Sequence, residues 1–260
     1  MISIIIPVLN ESKMIGNLLE HLSKNTTVKN ISDIIVVDGG STDDTQKIVS
    51  EFIANNDSTD SQNELLHSKN TEVIDRRVVN KVSALNVQLI HSERGRAKQM
   101  NSGAREAKGN ILYFLHADAF PPKDFDQAII NEVKKGNDAG CFRMQFNSTH
   151  WWLRLASWLT QFPWRACRGG DQSQFITKAL FEEIGGFDER YVIYEDNILI
   201  NELYERKEFV VINKKIRTSA RLYKKVGIWK LQYHFWAIYV KRWFGASAEE
   251  MLEYYKKHIR

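Results

Sequence analysis

Two cysteines in 260 residues, Cys141 and Cys167, are too few for a disulfide framework, and their spacing matches no metal-binding pattern. A reducing, cytoplasmic setting is the expectation. The chain has no run of roughly 20 mostly apolar residues, the length that spans a bilayer. Its nearest stretch, Val226 to Phe244, is broken by Lys230, Gln232, His234, Lys241 and Arg242. Ile2 to Leu9 is apolar, but no basic segment precedes it and no small-residue cleavage site follows, so no secretory signal is read. The net charge of +4, from 36 basic and 32 acidic residues, suits an anionic ligand but is too slight to argue for nucleic acid. There is no internal repeat. No Gly-x-Gly-x-x-Gly follows the first apolar run, which argues against a dinucleotide-binding oxidoreductase.

The length suits one large α/β domain, or one domain with a small appendage. Hydrophobic residues at 43% and charged residues at 26% are those of a soluble globular chain. Ser3 to Pro7, Ile34 to Val37, Val87 to Ile90 and Ile111 to Leu115 read as buried strands. Between them Ile15, Leu18, Leu19 and Leu22 share one helical face. Ile48, Val49 and Phe52 share another, on a helix that Asp43 or Asp44 opens. This alternation implies right-handed crossovers and a parallel sheet. Asn55 to Asn70 is dominated by polar residues and reads as a surface insertion, which with the ambiguous stretch Val73 to Leu85 breaks the rhythm over about 55–86.

The second half differs in character. Trp151, Trp152, Trp158 and Trp164 fall among basic residues between His150 and Arg168. Val210 to Ser219 reads as strand and turn. From Lys224 the pattern is helical and aromatic, through Trp229, Tyr233, Trp236, Tyr239 and Trp243. Gly245 can end one helix and Ser247 cap the next. The expected division is a main domain over 1–221 and a helical extension over 222–260.

Several segments could carry chemistry at the carboxyl ends of the strands, where an α/β sheet binds ligands. Pro7 ends a ladder because it lacks an N–H, and Asn10 can cap the next helix, whose N-terminus favours an anion. Asp38-Gly39-Gly40-Ser41 offers a strand-end carboxylate and a sharp turn. It serves either a base or ribose contact, or only the turn itself. Arg94 and Arg96 precede a helix whose small stripe is Ala97, Asn101, Ala104 and Lys108; they can meet phosphate oxygens or form a solvated loop. If the chain stays extended, His116 and Asp118 point the same way, and Asp118 can hold a hard cation such as Mg²⁺ or Mn²⁺ or cap a helix. Glu195 and Asp196 are adjacent, so one can begin a helix while the other faces a cleft as a general base.

In order and spacing, these segments resemble the family 2 glycosyltransferases of the GT-A fold, from Ile2 to about Arg221 apart from the insertion. Gly95-Arg96-Ala97-x-Gln99-Met100-Asn101, His116-Ala117-Asp118, Gly170-Asp171-Gln172 and Thr218-Ser219-Ala220-Arg221 are similar to one bacterial subgroup, the glycosyltransferases that accompany radical-SAM or selenium-linked proteins. The resemblance implies a Rossmann-like mixed, mostly parallel sheet flanked by helices. It implies that Pro7, Asn10, Glu11 and Gly40 line the nucleotide pocket, with Asp38 on the base, typically uracil. Arg94 and Arg96 would close on the phosphates, and Asp171 and Gln172 would face the acceptor. Asp196 would be the base, with Glu195 its supporting neighbour. Asp118 matches the last acid of the family's Asp-x-Asp metal motif, whereas the first is His116. A neutral imidazole there can donate to a hydroxyl or ligate a transition metal.

The implied activity is an inverting transfer of a sugar from a nucleotide-diphosphate donor to a hydroxyl on a small molecule, glycan or lipid. A divalent cation, Mn²⁺ or Mg²⁺, would assist departure of the diphosphate. A degenerate nucleotide-sugar binding module, prompted by His116, is the alternative. A nucleotidyltransferase is disfavoured because Pro7 to Met14 lacks a Gly-rich basic signature. The aromatic C-terminal helix suits peripheral contact at the inner face of a membrane; the other reading is that these aromatics pack on the domain or form a dimer, and packing is the favoured expectation because an aromatic stripe at helical spacing is more often core.

Overall fold

The computed structural model describes residues 1–66 and 85–259. The strands are β1 (Ile2–Val8), β2 (Ile31–Asp38), β3 (Val87–His91), β4 (Ile111–Phe114), β5 (Ala119–Phe120), β6 (Ala139–Phe146), β7 (Gln174–Thr177) and β8 (Val210–Thr218). The helices are α1 (Ile15–Asn25), α2 (Thr45–Leu66), α3 (Arg96–Glu106), α4 (Phe125–Lys134), α5 (Trp151–Leu159), α6 (Lys178–Ile184), α7 (Glu195–Glu205), α8 (Arg221–Val226), α9 (Ile228–Trp243) and α10 (Ala248–His258).

One sheet runs β3-β2-β1-β4-β7-β6-β8-β5. The β3-β2-β1-β4 half is parallel, and β6 and β8 are also parallel. The β4–β7, β6–β7 and β5–β8 pairs are antiparallel. Strand alternation sorts side chains into two layers. Ile2, Ile4, Ile6, Ile34 and Val36 meet α1 through Ile15, Leu18, Leu19 and Leu22, and α2 through Val49. Ile5, Ile35 and Val37 meet α3 through Ala97, Met100 and Ala104, in a second layer that continues into α6 and α7. Each of these fully buried isoleucines and leucines contributes on the order of 1.5–3 kcal/mol, so both faces of the parallel half are pinned.

Three local expectations need correction. β1 continues past Pro7 to Val8, because proline lacks only the donor and the strand remains in register with Val37. The helix of Thr45 does not stop at Asn55 but runs to Leu66, since each added residue gains a backbone bond that outweighs the weak propensities of Asn, Ser and Asp. The remainder of the polar stretch, and the ambiguous stretch from Val73 as far as residue 84, lie outside the described residues. Lys108 falls after the end of α3 and is exposed, outside the small stripe.

The C-terminal helices form as expected: Gly245 adopts φ +90°, and Ser247 caps α10 in a capping box with Glu250. Leu231, Ile238, Met251 and Ile259 pack together with Tyr191 and Tyr194, which lead into α7, and with Ile198 in its first turn. Cys141 and Cys167 are both free thiols.

Candidate active site

The parallel strands deliver four loops to one edge. Asn10 and Glu11 follow β1, Asp38 to Ser41 closes β2, Ser92 to Gly95 follows β3 and His116 to Asp118 follows β4. The first two loops are laced together. The Asn10 N–H donates to Ser41 Oγ at 2.9 Å, and Thr42 N–H donates to Asn10 Oδ1 at 2.8 Å. Glu11 N–H donates to Thr45 Oγ1 at 2.8 Å. Asn10, at φ +56°, therefore does not cap α1, which begins only at Ile15; its amide bridges two loops instead. Asp38 is fully buried and accepts from the N–H groups of Gly40 and Ser41 and from Gln46 Nε2 at 2.8 Å. Burial acts to raise its pKa, but these donors outweigh that effect and hold the carboxyl below its ordinary range. Of the two readings of Asp38, the turn is the one already satisfied. Gly40 stands exposed at the rim with φ +90°, a conformation that disfavours a side chain.

Remote pairing completes the edge. β5 pairs with β8 through Ala119 and Thr218, so the residues flanking that pair, Asp118 and Arg221, meet although 103 positions separate them. Arg221 Nε lies 3.2 Å from Asp118 Oδ2, and its Nη1 donates to Glu11 Oε2 at 2.6 Å, with a further bond from Nη2 to the same carboxylate. Similarly β7 runs antiparallel to β4, so the turn Gly170 to Gln172 ahead of it arrives beside His116. A Cβ at Gly170 would collide with the Asp196 carboxylate and come within 3.0 Å of His116 Nε2, so only glycine allows this approach. His116 and Asp118 do not extend β4. The Ala119 N–H closes a turn onto the His116 carbonyl at 3.0 Å, yet both residues still face Arg221.

Glu195 and Asp196 open α7, and both are buried. They do not diverge as adjacency suggests: Arg96 Nη1 lies 3.1 Å from Glu195 Oε1 and 3.8 Å from Asp196 Oδ2. The left-handed Tyr194, φ +72°, turns the chain so that the first helical turn presents both acids. Glu195 Oε2 is buried without a hydrogen-bond partner among the described residues. The His116 imidazole is pushed down to about 3, chiefly by burial, then by Arg96 and Arg221, against an opposing contact with the Gly170 backbone. It is therefore neutral at ordinary pH.

Other expected residues fall elsewhere. Arg94 is exposed on the loop before α3. Pro7 is half-buried in β1 behind the loops. Gln172 does not face an open cleft: it is buried, accepting from Arg168 Nη1 at 2.9 Å and Cys141 Sγ at 3.0 Å and donating to the Cys167 carbonyl. The side chain of Asp171 lies outside the described residues. Arg221, Gln99 and Asn101 are further residues of this edge that the sequence alone does not mark as site residues. Gln99 Nε2 donates to the carbonyls of Val8 and Val37, each at 2.8 Å, and ties together the ends of β1 and β2. Asn101 exchanges hydrogen bonds with the Phe187 backbone and donates to Glu189 at 2.9 Å. The signal for all three was the polar wording of two segments, each next to a strand end or on a buried helix face.

Among the described residues no three His, Cys, Asp or Glu side chains form a ready metal cage. The donor set nevertheless fits a hard cation. Glu11, Asp118, Glu195 and Asp196 bring four carboxylates to this edge, around the guanidiniums of Arg96 and Arg221. A magnesium-type ion is commonly held by one or two carboxylates, with substrate phosphates supplying the other ligands.

The family model for glycosyl transferase family 2 matches residues 3–187, more than half of the chain. No match was found among curated proteins. Similar solved structures include Staphylococcus aureus TarS 1–349 in complex with UDP, at 17% identity and a TM-score of 0.59, covering 84% of this chain and 60% of that one. The same protein in complex with UDP-GlcNAc aligns at 17% identity and TM-score 0.60, covering 84% and 58%. The mannosyltransferase PcManGT from Pyrobaculum calidifontis, in complex with GDP-Man and Mn²⁺, aligns at 18% identity and TM-score 0.62, covering all of this chain and 64% of that one. This chain thus spans about three-fifths of the length of those structures. At such identities the likeness establishes the fold: a mixed, mostly parallel GT-A sheet flanked by helices.

Proposed function

The chain belongs to glycosyl transferase family 2, and from that premise we propose that it moves a sugar from a nucleotide-diphosphate donor, UDP-linked in our reading, to an acceptor hydroxyl with inversion. One observation carries the proposal: His116, Asp118, Asp196, Arg96 and Arg221, from four separate segments, converge on the carboxyl edge of the parallel strands. Nucleotide pockets form at such an edge. The loops of Asn10 to Glu11 and Asp38 to Ser41 receive the nucleoside, with Gly40 allowing close approach.

Asp196 takes the proton of the acceptor hydroxyl, and the oxygen attacks the anomeric carbon from the face opposite the diphosphate. The bond to the diphosphate oxygen breaks as the new one forms. Arg96, which bonds Glu195 and lies beside Asp196, holds both acids in place for this step. Arg96 and Arg221 stand where the departing diphosphate gathers charge, and fixed donors aimed at developing charge are the largest source of rate. The neutral His116 donates to a sugar or ribose hydroxyl. When bound, a divalent cation held by Asp118 would neutralise charge on the diphosphate.

In this proposal residues 1–221 are the catalytic unit and 222–260 an extension to it. The chain falls in the subgroup that accompanies radical-SAM or selenium-linked proteins. Asp196→Asn tests the base. It is expected to retain its melting temperature and donor binding while turnover, followed as nucleotide release, falls about 10²–10⁴-fold. Full activity would remove Asp196 from the mechanism. A thermal-shift screen of nucleotide sugars with and without Mn²⁺ identifies the donor. A second reading, a binding module without turnover, is favoured by the Arg96 contact, which lowers the basicity of a carboxylate. Slow hydrolysis of the matched nucleotide sugar would exclude it.

A further inference from the structure

Six of the seven tryptophans are more than half exposed: Trp151, Trp158, Trp164, Trp229, Trp236 and Trp243. The C-terminal aromatics are not core residues of this chain, although Trp229, Trp236 and Tyr239 each pack one side against Trp151, Trp152 or Tyr194. In α9 the buried face is Leu231, His234 and Ile238, and a second apolar stripe lies in the open. That stripe is Trp229, Tyr233, Trp236, Val240 and Trp243, spaced 4-3-4-3, and Phe244 continues it. α5 carries a matching exposed stripe, Trp151, Leu155 and Trp158. The two stripes join, since Trp151 and Trp229 rings lie 5.8 Å apart and Trp152 contacts both Trp229 and Trp236. An apolar surface this broad marks an interaction site.

Charge identifies the occupant. From Phe209 to Ala248 there is no Asp or Glu, against nine Lys and Arg, of which Arg221 belongs to the crevice, Lys214, Lys215 and Arg217 to β8, and the other five lie on α8 and α9. From Ala139 to Gly170 there is again none, against four arginines, of which Arg168 is turned inward and the others are Arg143, Arg154 and Arg165. Lys230, Lys241 and Arg154 are exposed along the two helices, and acids return only at Glu249, Glu250 and Glu253 of α10. A second copy of the chain would suit the 4-3 spacing, but paired seams carry complementary flanking charges; here like charges would meet. A bilayer interface wants both features present, Trp and Tyr at headgroup depth with Lys and Arg toward anionic lipid. Among the described residues no helix is long and apolar enough to cross a membrane.

We propose that the face formed by α5 and α9 docks the protein on an anionic lipid bilayer, lying in the interface plane. Tyr239 at the edge of this face donates to Asn197 Oδ1 at 3.2 Å and packs on Tyr194 at 5.1 Å, so the face adjoins the first turn of α7.

The test is flotation of the full chain with vesicles of phosphatidylcholine and phosphatidylglycerol, against phosphatidylcholine alone. The chain is expected to float with the mixed vesicles, and at least about tenfold more weakly with the neutral ones or in roughly 0.5 M salt. Joint replacement Trp229→Ser, Trp236→Ser and Trp243→Ser is expected to weaken binding by about 30-fold or more with an unchanged circular-dichroism melt. Failure of the unaltered chain to float, or flotation of the triple variant at full strength, would overturn the proposal. So would sedimentation showing a dimer that the triple variant dissociates, since a second copy would then fill the face. If the triple variant melts early, quenching of the unaltered chain's tryptophans by brominated phosphatidylglycerol vesicles decides: quenching supports docking and its absence refutes it.

Discussion

Around the crevice, Arg221 holds Glu11 and Asp118 while Arg96 holds Glu195 and Asp196. Along α5 and α9, cations and tryptophans stand with no acid in either segment. The crevice is assembled from distant pieces, and each of its two guanidiniums is held between two acids of the same chain. The aromatic face is built from two nearby helices and leaves both its apolar area and its charge unmatched. Internal matching suits a site that must hold its geometry before a ligand arrives, because preorganised charge costs no rearrangement at the moment of reaction. Unmatched surface suits contact with something outside the molecule.

Substitutions can separate the two regions. The largest effect after Asp196→Asn is expected from Arg221→Gln, which leaves Glu11 and Asp118 facing each other without their shared cation. Nucleotide binding should weaken by about 10- to 100-fold at fixed salt, measured by calorimetry. An unchanged affinity would remove Arg221 from the phosphate site. Gln99→Met comes next. It removes the buried amide from the Val37 carbonyl and from the Val8 carbonyl, which keeps the Gly39 N–H, and should cost about 1–3 kcal/mol in urea denaturation. A neutral result would mean that water replaces the amide.

Asp43 gives a smaller, pH-dependent effect. Burial acts to raise its pKa, but bonds from Thr45 and Ser12 prevail and hold it at about 2 in the folded chain. Its unfolded value is near 3.8. A lowered folded pKa stabilises above the unfolded value, and that contribution disappears as pH falls through the folded one. Asp43→Asn should therefore be less stable than the unaltered chain at pH 6, with the difference closing between about pH 4 and pH 2. A gap independent of pH would contradict the ionised cap. Smallest of all, Trp243→Ser should change stability by no more than about 0.5 kcal/mol, because the ring is 85% exposed. A large loss would mean that the ring is buried in solution and the two regions are less different than described.

The parallel half was legible because its signals are local. Ile2 to Val8 and Ile31 to Asp38 are apolar runs buried on both faces, and the α1 stripe is spaced at the helical period. The acids of the crevice were legible as residue types at strand and helix ends. Arg221 was not, because its role follows from the pairing of β5 with β8, a contact between distant positions that periodicity does not encode. The apolar spacing of α9 was visible, but spacing reveals a stripe and not the direction it faces; the helix has two, and Leu231 with Ile238 took the core. Gln172 looked available by sequence position, while Arg168, Cys141 and the Cys167 carbonyl drew it inward.

α3 carries three unrelated attachments within six residues: Arg96 to the acids of α7, Gln99 to two strand ends and Asn101 to the loop at Phe187. A single inserted residue between them would rotate everything beyond it by about 100° and detach part of this set at one stroke. Changes in length can therefore accumulate in the connecting loops but are closed to this helix, and a chimera joined to another scaffold should be cut outside residues 95–104.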